Sequence, residues 1–227
     1  MTFGGFPASA PRLYADLSAD NTKEAWRSRL REVYERDVRA PMLVLAAELS
    51  AHFAGDAGEV RVLGPVRDTR MSRDKSPYKT YQGAYLDLLP ALGFWVHLDR
   101  DGLYASGRWY PHGSAEVARY RAAVEEEDGG AELAAIVAGL TERGFAVGGN
   151  RLVSRPRGVA AGHPRLDLLR HRTVDAGRRL GPGPALASAG AAAFVRETWE
   201  LTRPLLEWAA ARGLTPEPYD RGADAPP

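Results

Sequence analysis

The 227-residue chain contains no cysteine. Disulfides, thiolate zinc sites, iron–sulfur clusters and cysteine nucleophiles are thereby excluded. Lysine is scarce: 27 arginines stand against three lysines, Lys23, Lys75 and Lys79, the usage of a GC-rich genome. Net charge is only +1, so no bulk field draws the molecule onto nucleic acid or an anionic membrane, and neither is an expected partner. No run approaches the ~18 apolar residues that a membrane span requires. The opening Met1-Thr2-Phe3-Gly4-Gly5-Phe6-Pro7 has no basic region followed by an apolar one, so no signal peptide is read there and the cytoplasm is the expected compartment. The phosphate-cradling, dinucleotide and serine-elbow motifs are missing, and His52, His112, His163 and His171 lack metal-ligand spacing. No cofactor or metal is expected. Oligomeric state is left open.

What is present suits a folded core: 44% hydrophobic and 26% charged residues, within the ordinary globular range. Pro7 to Asp20 reads as a short helix with a cap at Ser9. Asn21 with Glu24 suggests a second cap, after which Trp26, Leu30, Val33 and Val38 form one stripe. Pro41 suits the first turn of a third helix to Phe53, with Leu43, Leu45, Ala46 and Leu49 as core candidates. The period then changes from helical to alternating. Val60 to Val66 suggests a strand broken at Gly64-Pro65, and Ala84–Leu89, Gly93–Leu98 and Gly102–Trp109 read as three more. Asp99-Arg100-Asp101-Gly102 marks a hairpin turn. Helices return at Ser114–Glu126 and Ala131–Arg143, with Gly129-Gly130 as the expected break and the acidic run from Glu125 to Asp128 as a frayed helix end. Phe145 to Val153 suggests a strand pair, Arg165 to His171 a short helix, and Thr173 to Arg178 an edge strand. A last helix spans Ala189 to Arg212, with a kink expected at Pro204. Strands grouped mid-chain between helices predict one α+β domain over residues 1–215, with a mainly antiparallel sheet of four to six strands, followed by a frayed tail.

One segment stands apart. Arg67 to Thr80 carries five cations (Arg67, Arg70, Arg73, Lys75 and Lys79) against Asp68 and Asp74, a local net of +3, with almost nothing to bury. Thr69, Ser72, Ser76, Tyr78 and Thr80 add hydroxyls. Arginine offers a planar fork to carboxylate or phosphate and lysine a compact point charge, so the segment is a candidate anion site, its aspartates orienting the cations. The same charges would also serve as a solvated loop or as an ion-pair network tying sheet to helices. Two of only three lysines lie here, which favours a need for the ammonium itself.

Strand alternation puts Tyr85, Asp87, Trp95, His97 and Arg108 on one sheet face. This face would form the floor of a pocket walled by the basic segment, or simply a polar outer surface with an aromatic pair. Tyr78 and His97 are the candidates for proton transfer.

The run RDTRMSRDKSPYKTYQGAY over residues 67–85 resembles the hallmark of the family described as domain of unknown function 2461. The likeness continues through DNTKEAWRSRLREVYERDVRAP, LGFWVHLDRDGLYASGRWYP and RPLLEW, in order and over nearly the whole chain. Met71 stands where the family usually has Phe, Arg73 where Lys is usual, and Tyr81 where His is common. The resemblance implies one domain and brings no reaction with it. The leading expectation is a small-molecule protein, possibly an enzyme, that binds an anionic group through Arg67, Arg70, Lys75 and Lys79. A module docking on an acidic protein or nucleic acid, and a purely structural segment, are the alternatives.

Overall fold

The computed structural model describes residues 2–53, 55 and 58–216. The expected tail therefore falls, from residue 217 on, outside the described residues. The chain forms a six-stranded, wholly antiparallel sheet with helices before and after it. The strands are β1 (Arg61–Val62), β2 (Gln82–Leu89), β3 (Leu92–Asp99), β4 (Gly102–Trp109), β5 (Ala146–Gly148) and β6 (Val174–Leu180), in the order β1-β2-β3-β4-β6-β5.

The sheet has one dry face and one wet face because its strands alternate. In β3, Leu92, Phe94, Val96 and Leu98 are buried while Gly93, Trp95, His97 and Asp99 are half-buried. Three helices cover the dry face: α1 (Ser9–Ala19), the helical run 23–52 (α2), and the C-terminal helix α6 (Gly190–Ala211). Trp199 of α6 stacks on Phe94 with ring centroids 5.1 Å apart, and its indole N–H donates to the Trp95 carbonyl at 3.1 Å. The aromatic surface is buried and its one polar atom satisfied. The β3–β4 hairpin turns on Asp99-Arg100-Asp101-Gly102 as its sequence predicts. The Asp101 N–H donates to the Asp99 carboxylate at 2.8 Å, and Gly102 takes the left-handed φ of 105° that a side chain would resist.

The run 23–52 is continuous where two helices were expected. Thr22, not Asn21, caps it, accepting from the Ala25 N–H at 3.1 Å. Trp26, Leu30, Tyr34 and Val38 are buried at a strict four-residue spacing. In an α-helix that spacing drifts by roughly 40° per step. Two π-helical stretches, Trp26–Leu30 and Tyr34–Arg39, wind wider and cancel the drift, keeping the four side chains in line against the core.

Other local expectations need correction. Ser9 caps nothing; its hydroxyl donates to Asp37 at 2.7 Å. Leu43 is 44% exposed, and Met42 takes the buried place. The helix break falls at Glu126, between α3 (Ser114–Glu125) and α4 (Glu127–Glu142), and Gly129-Gly130 lie inside α4. There the two glycines let the chain pass the Ala123 and Val124 carbonyls, which a Cβ would strike. Glu127 and Asp128 thus open a helix, where their charge suits the dipole. Only Ala146–Gly148 of the expected strand pair is a strand, though Arg151 bridges His171. β6 is not an edge, since it pairs with β4 on one side and β5 on the other. A one-turn helix, α5 (Leu166–Leu169), precedes it, and α6 runs on through Pro204.

Candidate functional site

The basic segment folds back on itself. Val66 pairs with Tyr78, with Arg67 N–H donating to the Pro77 carbonyl at 2.9 Å and Lys79 N–H to the Pro65 carbonyl at 2.8 Å. On its other side Tyr78 is held by Asn21, whose amide donates to the Tyr78 carbonyl at 3.0 Å and accepts from its N–H at 3.2 Å. The Trp26 ring stacks on that of Tyr78 at 4.2 Å. Asn21 and Trp26 are therefore the anchors of the segment, through a contact spanning 57 positions.

The five cations do not converge together. Arg67 is paired with Asp74 and also donates to Ser72 at 3.3 Å. Hydrogen bonds from the Ser76 hydroxyl and N–H, and then from Arg67, hold the Asp74 carboxyl well below the usual carboxylate range. Arg70 is exposed and pairs with Asp68 at 2.7 Å. Lys75 donates to the Thr69 carbonyl at 2.9 Å, and Arg73 is exposed. Arg67 and Lys79 alone among the five line a cavity of about 600 Å³. Its hydroxyl-bearing walls are Ser18, Ser76, Tyr78, Thr80 and Tyr81, with Asn21 and Asp74 beside them. The Lys79 ammonium touches no carboxylate among the described residues; it donates to the Gly64 carbonyl at 2.7 Å. Desolvation lowers its pKa, the mark of a cation short of countercharge.

The wet face of the sheet carries Tyr85, Asp87, Trp95, His97 and Arg108 together, in the register of their strands. It does not share a pocket with the basic segment. Tyr81 packs against Trp95 at 6.0 Å and His97 at 5.6 Å, and this aromatic group stands between the two. On the sheet side a separate cavity of about 360 Å³ lies against Tyr85, Asp87, Gly93, Trp95, Arg108 and Tyr110. His97 stands outside it. The Trp95 indole N–H donates to His97 Nδ1 at 2.8 Å, so that nitrogen carries the lone pair and Nε2 bears the proton shared with Asp99 at 3.2 Å. Proton transfer through His97 would require that indole bond to open. Tyr78, the other candidate, faces the first cavity.

A family model described as conserved hypothetical protein (DUF2461) matches residues 10–208. The chain belongs to this family. The match runs from α1 into α6 and so takes in the whole sheet, the basic segment and both cavities. No curated protein and no solved structure gives a significant match. Among the described residues no helix is long and apolar enough to cross a membrane, and no three acidic or histidine side chains group as metal ligands.

Sequence reading passed over Ser18 and Gly93 as site residues, took Asn21 for a helix cap, and noted Tyr81 only as a departure from the family pattern. Asn21 and Ser18 reach the cavity only through tertiary packing, so no local signal marks them. Gly93 was open to detection, since alternation puts it beside Trp95 on the wet face.

Proposed function

We propose that this protein binds a small molecule through an anionic group seated between Arg67 and Lys79. The observation that carries the reading is the half-buried Lys79, whose ammonium touches no carboxylate among the described residues and which lines a cavity bearing hydroxyls. An oxyanion would supply the missing charge and accept from Lys79, from the Arg67 N–H groups that Asp74 and Ser72 leave over, and from the Tyr78, Thr80 and Tyr81 hydroxyls, since those of Ser18 and Ser76 are already engaged. Asp74 does not close the site, because its own lone pairs are engaged by Ser76 and Arg67. It fixes the guanidinium in place. The reading is one of binding in the cytoplasm; Tyr78 would be the group to move a proton on a bound ligand.

The test is a titration of the full chain with inorganic phosphate, followed by thermal shift and by amide NMR. Saturable shifts at residues 67–81 are expected, weakened about tenfold or more in Lys79→Met. Equal shifts in wild type and Lys79→Met would contradict the reading.

A second reading draws on Arg70, Arg73 and Lys75, which lie exposed on the outside of the loop. That arrangement suits docking on an acidic protein. Such binding would weaken steeply with salt and fail in the triple Gln variant of these residues, with Lys79→Met unaffected.

A further inference from the structure

On the wet face of the sheet one cross-strand row runs Asp87, Gly93, Arg108, Asp175, each directly opposite the next. Gly93 has no side chain, so the row has a gap between a carboxylate and a guanidinium. Their Cα atoms are about 10 Å apart, two strand spacings. The gap is built in: a Cβ at Gly93 would come within 2.4 Å of the Leu86 carbonyl oxygen, so β2 can approach β3 here only past a glycine. The cavity of about 360 Å³ stands over it.

Among the described residues, neither charge flanking the gap has its hydrogen-bonding capacity met, although Arg108 is ion-paired with Asp175. Arg108 is held on three sides, its guanidinium carbon 4.6 Å from the Trp95 ring centroid and 5.6 Å from that of Tyr110, and its Nε 2.9 Å from Asp175. Yet that buried Nε makes no aligned hydrogen bond, and the two terminal nitrogens hydrogen-bond to nothing among the described residues. Asp175 also accepts from the Tyr104 hydroxyl and from Ser106 at 3.2 Å, so it is shared among three groups. A fixed guanidinium with unmet donors is a receptor for a carboxylate. Asp87 makes no hydrogen bond or ion pair among the described residues and acts on Arg61 only through space. Backbone strain supports the arrangement. Ala91 takes a left-handed φ of 68°, which a residue with a Cβ rarely adopts. Its carbonyl accepts the Tyr110 N–H at 2.7 Å, tying Tyr110 to this turn on the cavity rim.

We propose that the pocket over Gly93 binds a small zwitterion of amino-acid type, its carboxylate on Arg108, its ammonium on Asp87 and a flat apolar side group against Trp95, Tyr85 and Pro90. A purely anionic ligand would leave Asp87 opposing it; a purely cationic one would meet Arg108. Only a molecule with both charges satisfies the two ends of the gap. This site is separate from the Arg67–Lys79 cavity, and neither proposal depends on the other.

The test uses the full chain and three probes, L-phenylalanine, 3-phenylpropanoate and 2-phenylethylamine, measured by calorimetry and ligand-observed NMR. L-Phenylalanine is expected to bind about tenfold or more tightly than either analogue. Arg108→Gln should abolish binding of L-phenylalanine and of 3-phenylpropanoate. Asp87→Asn, at an exposed side chain that leaves the fold intact, should lower L-phenylalanine to the level of 3-phenylpropanoate and leave the latter unchanged. Lys79→Met should change none of these. No binding of L-phenylalanine at millimolar concentration, equal affinity for L-phenylalanine and 3-phenylpropanoate, or L-phenylalanine affinity unmoved by Asp87→Asn would each overturn the proposal.

Discussion

Asn21 grips both main-chain groups of Tyr78, donating at 3.0 Å and accepting at 3.2 Å, so that a side-chain amide does the work of a neighbouring strand. Together with the Trp26 ring stacked on Tyr78, it ties a segment with almost no core of its own to the rigid helical run behind it. The same grip sets where Lys79, the next residue, leaves the backbone.

Asn21→Ala removes both bonds and leaves the two Tyr78 groups to water. A loss of about 1–3 kcal/mol in urea unfolding is expected. Hydrogen exchange should quicken over residues 66–80 while β3 and β4 keep their protection. Equal quickening across the sheet would mean that Asn21 supports the core instead.

Gly83 makes room for Trp95: a Cβ there would lie 2.6 Å from the indole ring. Gly83→Val should displace that ring, cost about 1–3 kcal/mol by overpacking, and break the indole bond to His97. The His97 ring resonances, followed by NMR, report the last effect directly.

Asp99 links the hairpin turn to β6 through Arg179, with Nη1 at 2.6 Å. Burial alone would raise its pKa, but hydrogen bonds from His97, Arg179 and the Asp101 N–H outweigh this and hold it at about 2 against an ordinary 3.8. Its folded value is the lower one, so its contribution is full above the unfolded value and fades as pH falls through about 2. With the carboxylate side chain only 19% exposed, Asp99→Asn should lose on the order of 2 kcal/mol at pH 7. Wild type and variant should converge near pH 2, as urea unfolding at stepped pH would show.

Lys79 predicts an exchange of stability for binding. Its lowered pKa means that the folded state disfavours the charged form, so at neutral pH the ammonium works against folding. Lys79→Met should therefore raise the melting temperature of the ligand-free protein while losing the phosphate-induced shift. A lower melting temperature would show the ammonium to be a structural tie to the Gly64 carbonyl.

The sheet was readable because its signals are local. Strict alternation in β3 and the Asp-Gly turn before β4 fix two strands and their register without reference to the rest of the chain. The side chains sharing the wet face with Trp95 followed from the same period. The helices were less legible. A Gly-Gly pair looks like a break, but at Gly129-Gly130 it serves close packing, and the break falls at an ordinary glutamate, Glu126. The π-helical winding that aligns Trp26 with Val38 leaves no mark in composition. The site was half legible: the charge of the basic segment was plain. Which of its cations turn inward depends on the pairing of Val66 with Tyr78 and on Asn21, contacts between distant parts of the chain. The wall of Tyr81 and Trp95 that divides the expected pocket in two is tertiary in the same way.

The central claim concerns where an oxyanion sits, and diffraction from crystals soaked in tungstate tests it most directly. An anomalous peak within hydrogen-bond reach of Lys79 Nζ and the Arg67 guanidinium is the predicted result. Peaks confined to the outer cations Arg70 and Arg73, with the inner cavity holding water, would contradict it.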